Sequence, residues 1–199
     1  LFSVVDMGVT ADIRMPARWQ LVARDAFNGL VLWTRNIEQW HSHLHSFRSG
    51  PADLPFRLVA VGSHVYMSTG DDKPVLALDA ATGKELITYD GTEQTRQIIR
   101  VDDKLIMLAG TSQVEVRRNG PDTARRTIVT ANAETGDILW RQRVSANTLI
   151  PLVVSGQKVM YQTDKHLACL ALDTGDEVWK VDHPVNLGKN KKTISWASP

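Results

Sequence analysis

The sequence holds a single cysteine, Cys169. No disulfide can close within the chain, so sulfur says nothing about redox compartment. Leu167, Ala168, Leu170 and Leu172 surround it. They predict a buried strand cysteine, and no neighbouring cation is there to lower its pKa into the reactive range. An excess of one charge is lacking too. The 23 Lys and Arg stand against 22 Asp and Glu, a formal net charge of +1, which removes the electrostatic case for nucleic acid or an anionic membrane as partner. Aromatic residues, 7% of the chain, do not interleave with basic ones as a nucleic-acid surface requires. The basic cluster Lys189, Lys191 and Lys192 has too few charges for a polybasic patch and reads as a solvated loop. Long apolar runs are missing. No stretch approaches about 18 apolar residues, so no membrane-spanning helix is expected. No window keeps apolar residues at helical spacing between a cap and a terminal glycine. Met15 to Trp19 is short and carries Pro16. An almost all-β chain is the expectation.

What is present is repetition. Four segments align, 23–33, 77–87, 130–140 and 169–179. The first reads Ala23-Arg24-Asp25-Ala26-Phe27-Asn28-Gly29-Leu30-Val31-Leu32-Trp33. The shared pattern is small-x-Asp-x-x-x-Gly-x-x-x-Trp. Its glycines fall at 29, 83, 136 and 175, spaced 54, 53 and 39 residues apart. Propeller repeats run about 40 to 50 residues per four-stranded blade. The two longer spacings therefore need insertions, and polar, turn-rich stretches supply them at about 41–55 and 111–126.

Each repeat has hairpin chemistry. An apolar run such as Val75-Leu76-Ala77-Leu78 leads into Asp or Asn, Thr and Gly. The Asx side chain bonds nearby backbone, and Gly accepts positive φ. Two further β-rich runs precede the hairpin, separated by two turn residues: 58–61 and 64–68 around Gly62-Ser63, 98–101 and 104–108 around Asp102-Asp103, 150–154 and 157–161 around Ser155-Gly156. Two hairpins make a four-stranded blade. The fold class is all-β: about four blades, a partial ring.

The 11-residue motif resembles the tryptophan-docking repeat of quinoprotein (PQQ-type) propellers, whose relatives include BamB-type propellers. The resemblance runs over nearly the whole chain, 1–199, through its four copies. It implies that Trp33, Trp140 and Trp179 sit on the outer part of a blade and pack across to the next one near a motif glycine. Ile87 replaces Trp in the second copy, so that contact is expected to be weaker. In the fourth copy Ala171 stands at the Asp position, with Asp173 two residues before Gly175. Residues 193–199 resemble the opening strand of a further blade. With Leu1 at one end and Pro199 at the other, a piece of a longer protein is expected, with edges covered by its own missing blades, a protein partner or a second copy.

The candidate chemistry is sparse. Asp173-Thr174-Gly175 matches the aspartic-protease triplet, but the repeat explains it as a turn. His41, His43 and His45 would share one face of a strand, a possible zinc or copper set; the plainer reading is a polar loop. Asp71-Asp72 and Asp102-Asp103 are the adjacent acidic pairs, and both read as turns. No phosphate-cradling loop, Gly-x-Ser-x-Gly or His-Glu-x-x-His occurs. The resemblance implies PQQ and calcium as possible cofactors, yet its enzymes often carry vicinal cysteines, which are absent, and no Asp matches their catalytic position. No catalytic or metal-binding residue is assigned. The expectation is a non-catalytic binding or scaffold module in a periplasmic or other extracytoplasmic setting. The alternatives are part of a PQQ-dependent dehydrogenase, or a propeller fused to an unrelated enzyme domain.

Overall fold

The computed structural model describes residues 1–9, 11, 15–38, 40, 53–110, 125–145, 151–163 and 165–182. They form four antiparallel sheets. The first is β1 (Phe2–Asp6), β2 (Trp19–Arg24) and β3 (Val31–Asn36). The second is β4 (Leu58–Val61), β5 (His64–Ser68), β6 (Val75–Asp79) and β7 (Glu85–Tyr89). The third is β8 (Gln97–Val101), β9 (Lys104–Gly110), β10 (Arg125–Asn132) and β11 (Ile138–Ser145). The fourth is β12 (Val153–Ser155), β13 (Lys158–Gln162), β14 (His166–Ala171) and β15 (Glu177–Asp182). Strands follow chain order across every sheet. The first sheet has three strands among the described residues, not the expected four; no described segment lies inside β1. The only helical element described is one 3-10 turn, Leu54–Phe56. Among the described residues no helix is long and apolar enough to cross a membrane.

The two-residue turns seen in the sequence close the inner hairpins, pairing Val61 with His64, Val101 with Lys104 and Ser155 with Lys158. The first turn residue takes positive φ each time: Gly62, Asp102 and Gly156. The third turn is thus Gly156-Gln157, one residue later than the sequence reading placed it. Strand direction alternates, so all these turns and the repeat turns fall at one end of the sheets. The described parts of the longer connections, 7–9, 15–18, 37–38, 53–57, 69–74, 90–96 and 151–152, fall at the other, the loop end. Of the expected insertions, 41–52 and 111–124 lie outside the described residues. Arg125 and Arg126 belong to β10, which shortens the second insertion.

The core lies between successive sheets, in three clusters. Leu21, Val65, Met67 and Leu78 fill the first gap. Tyr66, Val75, Tyr89, Leu105, Met107 and Val129 fill the second. Ile106, Leu108, Ile128, Trp140, Val159 and Leu170 fill the third. Alternate residues of one strand enter different gaps: Leu105 and Met107 face the second sheet, Ile106 and Leu108 the fourth. Both faces of the central sheets are therefore buried, which is why β9 reads as a continuous apolar run and not as an alternating one.

Candidate functional site

All four repeat turns have one geometry. The motif glycine N–H donates to the carbonyl four residues back: Gly29 to Asp25, Gly83 to Asp79, Gly136 to Asn132, Gly175 to Ala171, at 2.8–3.0 Å. A β-bulge sits just before each turn, at 23/24, 77/78, 130/131 and 169/170. The Asx oxygen caps the turn where one exists. Asp79 Oδ1 accepts from the Thr82 N–H and hydroxyl at 2.7 and 2.6 Å, and Asn132 Oδ1 from Glu134 N and Thr135 N. These bonds, the Thr82 hydroxyl first, hold the Asp79 carboxyl below its ordinary pKa. Asp25 is lowered likewise by the Phe27 and Asn28 amides. The fourth turn keeps its backbone with Ala171 and no such cap.

Three of the four glycines, Gly83, Gly136 and Gly175, are each the seat of a side chain from the preceding repeat. A Cβ on Gly83 would lie 2.7 Å from the Trp33 ring, and one on Gly175 2.6 Å from the Trp140 ring. Both indoles also donate to the carbonyl three residues before the glycine: Trp33 Nε1 to Ala80 O at 3.0 Å, Trp140 Nε1 to Leu172 O at 2.8 Å. The middle interface divides the task. Ile87 Cγ2 sits over Gly136, 2.7 Å from where a Cβ would be. The missing indole N–H is replaced by the Tyr89 hydroxyl, which donates to Ala133 O at 2.7 Å. Ala133 is again three residues before the glycine. Burial pushes the Tyr89 hydroxyl pKa well above its ordinary value. The expected loss at Ile87 is thus offset two residues further along the same strand face. Among the described residues no further contact of this kind is made at either end of the series. Nothing lies within 4 Å of a Cβ on Gly29. At the far end Trp179 lines a cleft of about 400 Å³ with Gln162, Leu167, Val181 and Asp182.

The loop end carries the buried charge. Arg57, 2% exposed, donates Nη1 to Asp71 Oδ1 at 2.6 Å and pairs through Nη2 with Asp53 at 2.9 Å. Its guanidinium also lies over the Trp40 ring, 5.9 Å from the centroid. Asp53 takes a longer contact from Arg96 Nη1, 3.4 Å. Asp72 accepts from Gln94 Nε2 at 2.5 Å. Arg126 joins them, its pKa pushed down to about 10 by burial and then by Arg96. Gln97 ties the third sheet to the fourth nearby: its amide donates to Leu152 O and accepts from Leu152 N, at 3.0 and 2.6 Å.

Of the residues the sequence singled out, Cys169 is buried in β14. Asp102-Asp103 is a turn. Asp71-Asp72 is a turn too, but Asp71 is buried against Arg57, which the turn reading missed. Asp173 pairs with Lys104 at 3.0 Å, and the next two residues form the seat of Trp140. His41, His43, His45, the Lys189–Lys192 cluster and residues 193–199 lie outside the described residues. Among the described residues no three His, Cys, Asp or Glu side chains gather as a metal ion would need. Calcium with PQQ would require uncommitted oxygen donors. Asp53 and Asp71 at the loop end are held by guanidiniums, so these two carboxylates do not offer such donors.

A family profile described as outer membrane protein assembly factor BamB matches residues 120–194. No curated protein matches the chain. Among solved structures, BamB from Moraxella catarrhalis superposes with a TM-score of 0.52 at 14% identity, over 83% of this chain and 48% of its own. A quinohemoprotein alcohol dehydrogenase from Comamonas testosteroni gives 0.53 at 15%, over 91% of this chain and 36% of its own. Another from Pseudomonas putida HK5 gives 0.52 at 16%, over 91% and 32%. The chain spans half or less of each. Its sheets are propeller blades, built on the PQQ-like repeat that BamB-type and quinoprotein-type propellers share.

Proposed function

We propose that the chain is a non-catalytic binding and scaffold module of a larger protein of the cell envelope. The observation that supports this best is the docking series. Three successive interfaces share this contact, whereas Trp179 lines an open cleft whose described walls all belong to its own sheet. Such a face serves assembly, either with further blades of the same protein or with a protein partner. The loop end supplies the longer connections on which propellers carry binding residues; the insertions near 41–55 and 111–126 are the candidate contact loops. The family profile, named for outer membrane assembly, favours an extracytoplasmic setting.

The second reading, part of a PQQ-dependent dehydrogenase, draws on the superposition with the quinohemoprotein enzymes. Fold alone does not choose between them. Calorimetric titration of the intact parent protein with PQQ, with and without calcium, does. No heat under either condition, with folding checked by circular dichroism, is the expected result. Calcium-dependent binding at micromolar affinity or better would replace the scaffold reading with the dehydrogenase.

A further inference from the structure

The loop end between the second and third sheets holds three guanidiniums, Arg57, Arg96 and Arg126, against two carboxylates, Asp53 and Asp71. Arg57 engages both carboxylates, although Asp53 Oδ1 and Arg57 Nε are themselves buried without a hydrogen-bond partner. Arg96 reaches Asp53 through Nη1 alone, and its Nε and Nη2 are buried without an acceptor. Those two N–H groups form one edge of the guanidinium, parallel donors at the spacing of two oxygens of a carboxylate or phosphate. The Arg126 side chain makes no hydrogen bond or ion pair with any described residue, and its Nη1 is buried without an acceptor.

The backbone makes room for this arrangement. Arg126 pairs with Gly110 across β10 and β9, and a Cβ on Gly110 would stand 1.9 Å from Arg126 Nη1. The guanidinium therefore occupies the notch that a glycine leaves. Arg96 sits beside the same strand, its N–H bonded to Leu108 O at 2.8 Å. The side chains of Arg96 and Asp53 keep 19% and 25% of their surface, so solvent reaches the rim of the cluster. An unpaired cation half out of water weakens the fold. A leucine or glutamine would fill the same space without that cost. The donors make sense when a negative group completes them.

We propose that Arg96 and Arg126 form a binding site for an oxyanion, a carboxylate or phosphate group, at the loop end between the second and third blades. The site does not depend on which partner the propeller serves.

The test is thermal unfolding of the protein in an anion-poor buffer, titrated separately with inorganic phosphate and with acetate. Sodium chloride at matched ionic strength is the reference. A saturable rise in Tm beyond the chloride reference is expected from at least one anion, and the stronger arm tells tetrahedral from planar chemistry. Arg126→Leu should lose that rise, and without anion its Tm should equal or exceed that of the unaltered protein. Gly110→Ala keeps the charge and displaces the guanidinium; because the clash is with a side-chain tip, the fold should hold while apparent affinity falls by about tenfold or more. Three results would overturn the site: no saturable rise in the unaltered protein, an undiminished rise in Arg126→Leu, or a lower anion-free Tm for that variant, which would make Arg126 a structural residue.

Discussion

Trp140 contributes in two ways, a ring over Gly175 and an N–H to Leu172 O. Its replacement by alanine loses packing and orphans a buried carbonyl, so Trp140→Ala is expected to cost about 3–5 kcal/mol in chemical denaturation. Tyr89→Phe isolates the polar half of the same device. It keeps the ring and removes the donor to Ala133 O, an expected loss of about 1–3 kcal/mol. The raised Tyr89 pKa adds a signature. The folded state holds the proton that the unfolded chain gives up near pH 10. This contribution is therefore full below that pH and declines as pH rises beyond it. Tyr89→Phe should show a shallower alkaline loss of stability than the unaltered protein; an identical slope would mean that the buried hydroxyl is not the source. None of this was legible in the motif, where Ile87 reads as a defect. The compensation comes from a residue outside the 11, and only the register of β7 against the next turn reveals it.

At the scale of the element, the repeat turn is where sequence and structure agree most closely. Asx, Thr and Gly act through local bonds, so their spacing alone places the hairpins. The bulge before each turn was not legible, because a bulge is a relation between two strands. The Arg57–Asp71 pair was hidden for a similar reason: its members are distant in sequence and meet only when the loops converge. The turns also carry an acid response. Asp79 has a lowered pKa, so its contribution is present above about pH 4 and lost as pH falls below it. Asp79→Asn keeps an acceptor without the charge, and its stability should fall less between pH 5 and 3 than that of the unaltered protein. The fourth turn offers the converse. Ala171→Asn supplies the absent acceptor and is expected to stabilise by roughly 0.5–1 kcal/mol. Thermal unfolding decides; a neutral result would show that the backbone bonds of that turn already suffice.

For the whole molecule, the decisive feature is that blade docking among the described residues is a directional series. Trp33 seats on Gly83, Ile87 with Tyr89 on Gly136, and Trp140 on Gly175. By the same rule Trp179 requires a glycine turn that no described residue supplies, and Gly29 requires a side chain from a preceding blade. Leu167 and Val181 expose further apolar surface around Trp179. Leu30, Val31 and Leu32 do the same beside Gly29. The 199-residue chain in isolation should therefore associate, its last sheet against the first sheet of another copy. Light scattering should give a mass above the 22.1 kDa of one chain. Trp179→Ala should shift the population towards monomer with little change in the stability of the monomer itself, because that side chain makes no interblade contact within the described residues. Within a parent protein that continues the ring, the same substitution should behave like Trp140→Ala and cost about 3–5 kcal/mol. A chain that stays monomeric at high concentration, with Trp179 still exposed to a fluorescence quencher, would mean that the ends of the series are not adhesive and that the propeller's contacts are made elsewhere.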